Sequence, residues 1–340
     1  MSTTMNDSEA HAALNIFRGD SAKFQLHQLS QQGFSGSSVW KAIAADCEPL
    51  CLKRWPVSHP PPTRLPFIHQ VLRHAREMNL KFIPEPHRTP QGQTTVELAG
   101  STWELMTWLP GSADYLTNPS PARLCAALRS LALFHRTGAL FTTGHLFQAR
   151  LARTTPALDE RISRWRELSG RVPAIIAAVR SRSIPEIDDL AQQWIARHPQ
   201  LPSEILRQLF LTNQRQPVLQ PAIRDLWSDH VLFTGDEVTG FIDFGALRID
   251  TKLVDIARLL GSLAGDDLAQ RHAALAAYAE IVPLSADDCG IIDTLDHSGV
   301  LIGGWNWLDW LYVQQRQFPS LAAVRGRLLH LLDRQPSTMR

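Results

Sequence analysis

The sequence predicts an α+β fold of two lobes, a small antiparallel sheet carrying one helix and then a larger, mainly helical lobe. Three observations lead there. Short alternating or β-branched runs crowd the stretch from Lys23 to Thr107. Beyond LPGS, at 109–112, apolar residues recur at helical spacing to the end of the chain. The one interruption, 217–245, carries the strand-like runs VLF and GFID about a Gly235–Asp236 turn. The expected divisions are a polar lead-in at 1–20, a sheet lobe at 21–108 and a helical lobe at 109–340.

The elements follow in order. MSTTMNDSEAHAALN is polar and is expected to fray. FQLHQLS alternates, and VWKAIA, LCLKRW, TTVELA and TWELMTW are brief strand-like runs. Between them, LPFIHQVLRHAREMN places Phe67, Ile68, Val71, Leu72, Ala75 and Met78 on one helical face. PVSHPPPTR links strand to helix. SPARLCAALRSLALFHRTG reads as a helix with Ser120 as N-cap and Gly138 as stop. Further helices between 156 and 214 are expected to be split at Pro173, Pro185, Pro199 and Pro202, and 253–335 is helical again.

Composition removes several classes. A chain of 340 residues, 44% hydrophobic and 20% charged, can bury a large core. A net charge of +1 offers no basic field for nucleic acid, so an anionic ligand must be held by local groups. No apolar run reaches the ~18 residues of a membrane span, and the N-terminus lacks the pattern of a signal peptide. The expectation is a cytoplasmic protein, monomer or homodimer. Cys47, Cys51, Cys125 and Cys289 are too few for a disulfide framework, and the C-x3-C pair lacks a partner pair for zinc, so they read as buried or incidental thiols.

The chemistry concentrates in IRDLWSDHVLFTGDEVTGFIDFG, where Asp225 and Asp243 flank the hairpin. Phosphoryl transfer needs one carboxylate to orient the attacking hydroxyl and one to hold a divalent cation against nucleotide phosphates. The bland alternative is two turn aspartates. In LSQQGFSGSSVWKAIA the small residues Gly33, Ser35, Gly36 and Ser37 would let backbone N–H groups approach phosphates. Lys53 follows on an apolar strand.

This set resembles the aminoglycoside phosphotransferases and their choline, homoserine and fructosamine kinase relatives, whose fold is protein-kinase-like. The resemblance runs from about Phe24 to about Leu260. It implies an ATP-dependent transfer of the γ-phosphate to a hydroxyl of a small molecule, with ATP and Mg²⁺ as cofactors. Asp225 would be the catalytic base, Asp243 the principal Mg²⁺ ligand and Lys53 the nucleotide lysine. Met106, Thr107 and Trp108 would be the adenine contacts of the hinge, and Asp255 a brace for the catalytic loop. His135 matches a packed structural histidine.

The sequence departs from the family pattern in three places. Ile223 stands where the loop usually has histidine. His230 stands where asparagine offers an oxygen to the second cation. Three roles are open to it: contacting phosphate, binding a softer ion such as Mn²⁺, or leaving the second cation to Asp243, with Asp229 as a substitute. The helix also lacks the glutamate that pairs with the lysine. His69, Gln70 or a carboxylate from elsewhere is left to face Lys53, since Glu77 lies about two turns later. These departures support a second reading, a nucleotide-binding module with weakened catalysis. For the acceptor, Arg248 and Arg258 would suit an anion, and Asp309 in the tryptophan-dense WNWLDWLY an amine. The bland readings are bracing arginines and core packing.

Overall fold

The computed structural model describes residues 2–29, 36–57, 60–141 and 155–334. They divide into two compact units, Met1–Phe141 with Ile223–Arg248, and Thr142–Ala222 with Ile249–Arg340.

The first unit opens on helix α1, Ser2–Arg18, where the sequence suggested a frayed lead-in. Its apolar residues are sparse but fall on one face: Ala10, Ala13, Leu14 and Phe17 are all buried. Each fully buried leucine or phenylalanine contributes roughly 1.5–3 kcal/mol. A polar average conceals that stripe. Gly19 closes the helix with a left-handed φ of 70°, its N–H donating to Asn15 O at 2.7 Å.

Five strands follow in an antiparallel sheet of order β1-β2-β3-β5-β4. They are β1 (Gln25–Gln28), β2 (Ser38–Ala44), β3 (Cys47–Arg54), β4 (Val96–Leu98) and β5 (Ser101–Thr107). Alternation assigns the two faces. Trp40, Leu50, Leu52, Trp103 and Leu105 share one core with α1, and Trp40 stacks on Trp103 at 5.4 Å. Cys51, Lys53 and Glu104 take the other face. Helix α2, Leu65–Glu77, buries Phe67, Ile68, His69, Val71, Leu72 and Ala75. Met78, expected on that face, is 47% exposed because the helix has already ended.

Helix α3, Pro121–Ala139, starts as its sequence suggests, with Ser120 Oγ accepting from Arg123 N–H at 3.1 Å. The hairpin of β7 (Val231–Thr234) and β8 (Glu237–Phe241) turns at Gly235, φ 60°. It comes after β6 (Leu219–Ala222), which pairs with β9 (Arg248–Thr251).

The second unit is helical: α4 (Pro156–Ser181), α5 (Asp188–Arg197), α6 (Ser203–Gln214), α7 (Leu253–Leu263), α8 (Leu268–Ala279), α9 (Ala286–Leu308) and α10 (Leu321–Asp333). Pro173 does not split α4, contrary to expectation. One lost backbone hydrogen bond is outweighed by the continuous buried stripe of Trp165, Leu168, Val172 and Ile175. Pro185, Pro199 and Pro202 do fall between helices. After α9 the chain makes a π turn, Asp309–Val313. No helix among the described residues is long and apolar enough to cross a membrane.

Candidate active site

Lys53 owes its place to the β3 register. Leu50 and Leu52 turn toward α1, and Lys53 therefore points to the opposite face, 9% exposed. Its Nζ lies 3.5 Å from the centre of the Trp55 ring and 3.0 Å from Asp243 Oδ1, 190 residues further on. Asp243 sits just beyond β8 with a φ of 61°, a left-handed conformation that aspartate tolerates better than most residues. Burial works against its charge. The Lys53 ammonium, the nearby His230 ring and the Gly245 N–H together outweigh that penalty and lower its pKa to about 2.

Gly245 explains part of this geometry. A Cβ there would meet Trp55 Cη2 at 2.8 Å and Cζ3 at 2.9 Å, and Trp55 is the ring under Lys53. Gly245→Ala should displace that ring and loosen the Lys53–Asp243 pair. The expected result is a loss of about 1–3 kcal/mol of stability, read by denaturant unfolding. An alanine variant of unchanged stability would show that the ring gives way freely.

Asp225 lies on the loop before the hairpin, preceded by Arg224 at φ 68°, an unusual conformation for arginine. Ile223 and Leu226 on either side are wholly buried. Apolar packing thus anchors the loop where Ile223 replaces the family histidine. His230 adds a polar tie: its Nδ1 lies 2.6 Å from the Asp225 carbonyl, and its Nε2 lies 3.1 Å from Trp227 Nε1. An indole N–H can only donate, and a carbonyl can only accept. His230 therefore carries its proton on Nδ1, and its Nε2 lone pair is taken by Trp227. Nε2 stands 3.9 Å from Asp243 Oδ2. In this arrangement the ring has no lone pair left for a cation. Asp229 is exposed and accepts from Ser228 Oγ at 3.1 Å.

The hinge is also partly committed. Thr107 N–H donates to Glu85 O at 3.0 Å and His87 N–H to Leu105 O at 2.8 Å, along one edge of β5. Trp108 N–H turns the other way and donates to Pro49 O at 3.0 Å. Pro86 bridges to Met106. Of the glycine-serine loop, Gly33 and Ser35 lie outside the described residues. Gly36 has a φ of 73°, and Ser37 and Ser38 are buried.

A divalent cation would find oxygen donors here, headed by the ionised Asp243. No group of three or more potential ligands forms a cage among the described residues. That donor set fits Mg²⁺, which takes one or two carboxylates and completes its shell with nucleotide phosphates and water. The C-x3-C zinc alternative gains no support, since Cys47 and Cys51 are free and burial pushes the Cys51 thiol up to about 12.

Sequence reading missed Trp55, Trp227, Glu104 and the partner of Lys53. Tryptophans beside a lysine or a histidine carry no pattern of their own. His69 was among the residues considered for Lys53, and it bonds to Glu104 instead, at 2.9 Å. In the second unit, Asp255 is wholly buried in the first turn of α7. Asp309, suggested for an amine-bearing acceptor, is also wholly buried. Its oxygens receive Arg171 Nη2 at 2.6 Å, Arg164 Nη2 at 3.2 Å and Gln314 Nε2 at 2.6 Å. Trp305, Leu308, Leu311 and Tyr312 are buried around it, so this stretch is core.

A family model described as the phosphotransferase enzyme family matches residues 28–288. The homoserine kinase of Brucella anthropi is 25% identical over 260 residues, covering 75% of this chain and 71% of that protein. An aminoglycoside phosphotransferase from Alicyclobacillus acidocaldarius superposes with a TM-score of 0.61 at 17% identity, over 95% of this chain and 93% of its own. The amicoumacin kinase hAmiN, solved with AMP-PNP and Ca²⁺, gives 0.59 at 11% identity, over 96% of both chains. At such identities the shared property is the α+β, protein-kinase-like fold that the sequence led us to expect.

Proposed function

Because this chain belongs to the phosphotransferase enzyme family, we propose that it transfers the γ-phosphate of ATP to a hydroxyl of a small molecule. The observation that carries this reading is the Lys53–Asp243 pair at 3.0 Å, with His230 tying the Asp225 backbone to the base of the same hairpin. Asp225 accepts the proton of the attacking hydroxyl. Asp243 would hold Mg²⁺, and the ion when bound would supply neutralisation of developing charge on the phosphate oxygens. Lys53 contacts the phosphates from β3, helped by backbone N–H groups near Gly36 and Ser37. Residues 21–108 act as the nucleotide lobe.

Strand alternation refines the hinge. The Thr107 N–H faces the edge bonded to Glu85, and the Trp108 N–H is taken by Pro49 O on the β3 side. Trp108 therefore offers the adenine its ring rather than its N–H, beside Met106 and Thr107. The AMP-PNP and cation of the amicoumacin kinase support a nucleotide and a divalent ion in this fold.

Homoserine is the first acceptor to test, given its kinases among the curated relatives. The experiment incubates the protein with Mg²⁺ and ATP against homoserine, amino alcohols and aminoglycosides, and detects phosphorylated product by mass spectrometry. Transfer to at least one acceptor is expected. Nucleotide binding without transfer across the panel would favour the second reading, a nucleotide-binding module, which rests on the two occupied nitrogens of His230 and on the missing helix glutamate.

His230 is assigned as a positioning residue. His230→Ala should lower kcat about ten- to hundredfold by releasing the loop. The Mg²⁺ and Mn²⁺ concentrations for half-maximal activity should not change. If His230 were a ligand, both would rise, and Mn²⁺ would be affected more than Mg²⁺.

A further inference from the structure

Helix α2 has no acid at the position of the family glutamate, its Glu77 lying at the far end, and carries His69 in that region. His69 Nε2 lies 2.9 Å from Glu104 Oε2, and both side chains are almost wholly buried, at 1% and 3% exposure. Glu104 stands opposite Lys53 in the register of β3 and β5. Directly opposed residues of paired strands project from the same face, so an acid stands on the same face of the sheet as Lys53, on a strand rather than on the helix.

The proton accounting at His69 sharpens the point. Its Nδ1 is buried without a hydrogen-bond partner. A proton there would be a buried donor with nothing to bond, which is costlier than a bare lone pair. The ring therefore keeps its one proton on Nε2 and donates it to Glu104. That bond orients the carboxylate. A carboxylate at this depth calls for a cation, and the cation opposite is Lys53. Lys53 itself bonds to Asp243 and rests on Trp55. The other lysine on this face of the sheet, Lys41, lies over the Trp108 ring at 4.7 Å.

We propose that Glu104 is the second carboxylate of Lys53. When a nucleotide with its cation engages Asp243, Lys53 turns to Glu104 and is held there, at the phosphates, by the His69–Glu104 pair. The helix glutamate of the family is thus replaced by a strand glutamate steadied by a helix histidine. Glu104 is a positioning residue: it acts through Lys53 and touches neither substrate nor nucleotide. The proposal rests on the phosphotransferase reading above.

The test is a double-mutant cycle of Glu104→Gln and Lys53→Met, read as the Kd for ADP with Mg²⁺ by calorimetry. Tm is followed for every variant. Glu104→Gln should weaken binding roughly tenfold in the native background, the scale of one charge-assisted hydrogen bond. In the Lys53→Met background the same change should cost less than about twofold, because the partner is gone. Glu104→Asp, which keeps the charge, should recover part of the affinity. It takes the place of Glu104→Gln in the cycle if the glutamine variant does not fold. Equal weakening in both backgrounds would mean that Glu104 only supports the core, and would overturn the proposal while leaving the phosphotransferase reading intact. Failure of the unaltered protein to bind ADP would overturn both.

Discussion

Replacing Asp225 with asparagine should lower kcat by about 10²–10⁴ while leaving the KM for nucleotide nearly unchanged. The size is that of losing a positioned general base. The split between the two constants follows from where the group acts. Asp225 meets the acceptor hydroxyl as its proton leaves, an interaction made in the transition state, so its loss appears in the turnover term. Asparagine keeps the shape of the side chain, and the backbone carbonyl that receives His230 Nδ1 is untouched. Steady-state kinetics on whichever acceptor the screen identifies, with Tm as the folding control, decides the matter. A variant that keeps more than a tenth of native turnover would remove Asp225 from the role of base.

Asp243→Asn should be nearly as damaging, by a different route. Asparagine is among the residues that tolerate left-handed backbone, so the φ of 61° need not change. The amide cannot neutralise Lys53, nor serve as an anionic ligand for Mg²⁺. Binding of nucleotide with Mg²⁺ should weaken at least tenfold, and binding without the cation should change much less. Stability should fall by about 1–2 kcal/mol. That is below the range for a fully buried pair because Asp243 is about a third exposed. The pH dependence gives an independent check. The folded-state pKa of about 2 lies below the ordinary 3.8, so the contribution of this carboxylate is fully present above 3.8. It is lost as pH falls toward 2. The stability gap between native protein and variant should close across that window, as measured by urea unfolding. A gap that stays constant would show that the Lys53–Asp243 pair is not its source.

Much of the protein was legible in its residues because the relevant information is local. The change from a two-residue to a 3.6-residue period marks where sheet gives way to helix. The spacing of Asp225, His230 and Asp243 about a hairpin survives into the structure because a short turn leaves the chain little choice. Ser120 caps α3 for the same reason. Errors arose where a local rule met a longer stripe of packing. Pro173 stays inside α4 because one buried face runs past it on both sides. Four small or apolar residues in a polar segment were enough to seat α1 on the sheet. Asp309 was also weighed for an amine-bearing acceptor beside the core-packing reading, because nothing in WNWLDWLY reveals that Arg164 and Arg171, more than a hundred residues earlier, already hold it.

The sequence by itself determined the fold class and the family, and it singled out the two aspartates as candidates, since each is encoded in periodicity or in the spacing of one continuous segment. Tertiary structure alone decided which charges meet. It brought Lys53 to Asp243 and Glu104 to His69, and it occupied both nitrogens of His230. The reason is physical. Ion pairs and hydrogen bonds are settled at about 3 Å through space, and residues 35 or 190 positions apart reach that distance only once sheet, helix and hairpin have packed.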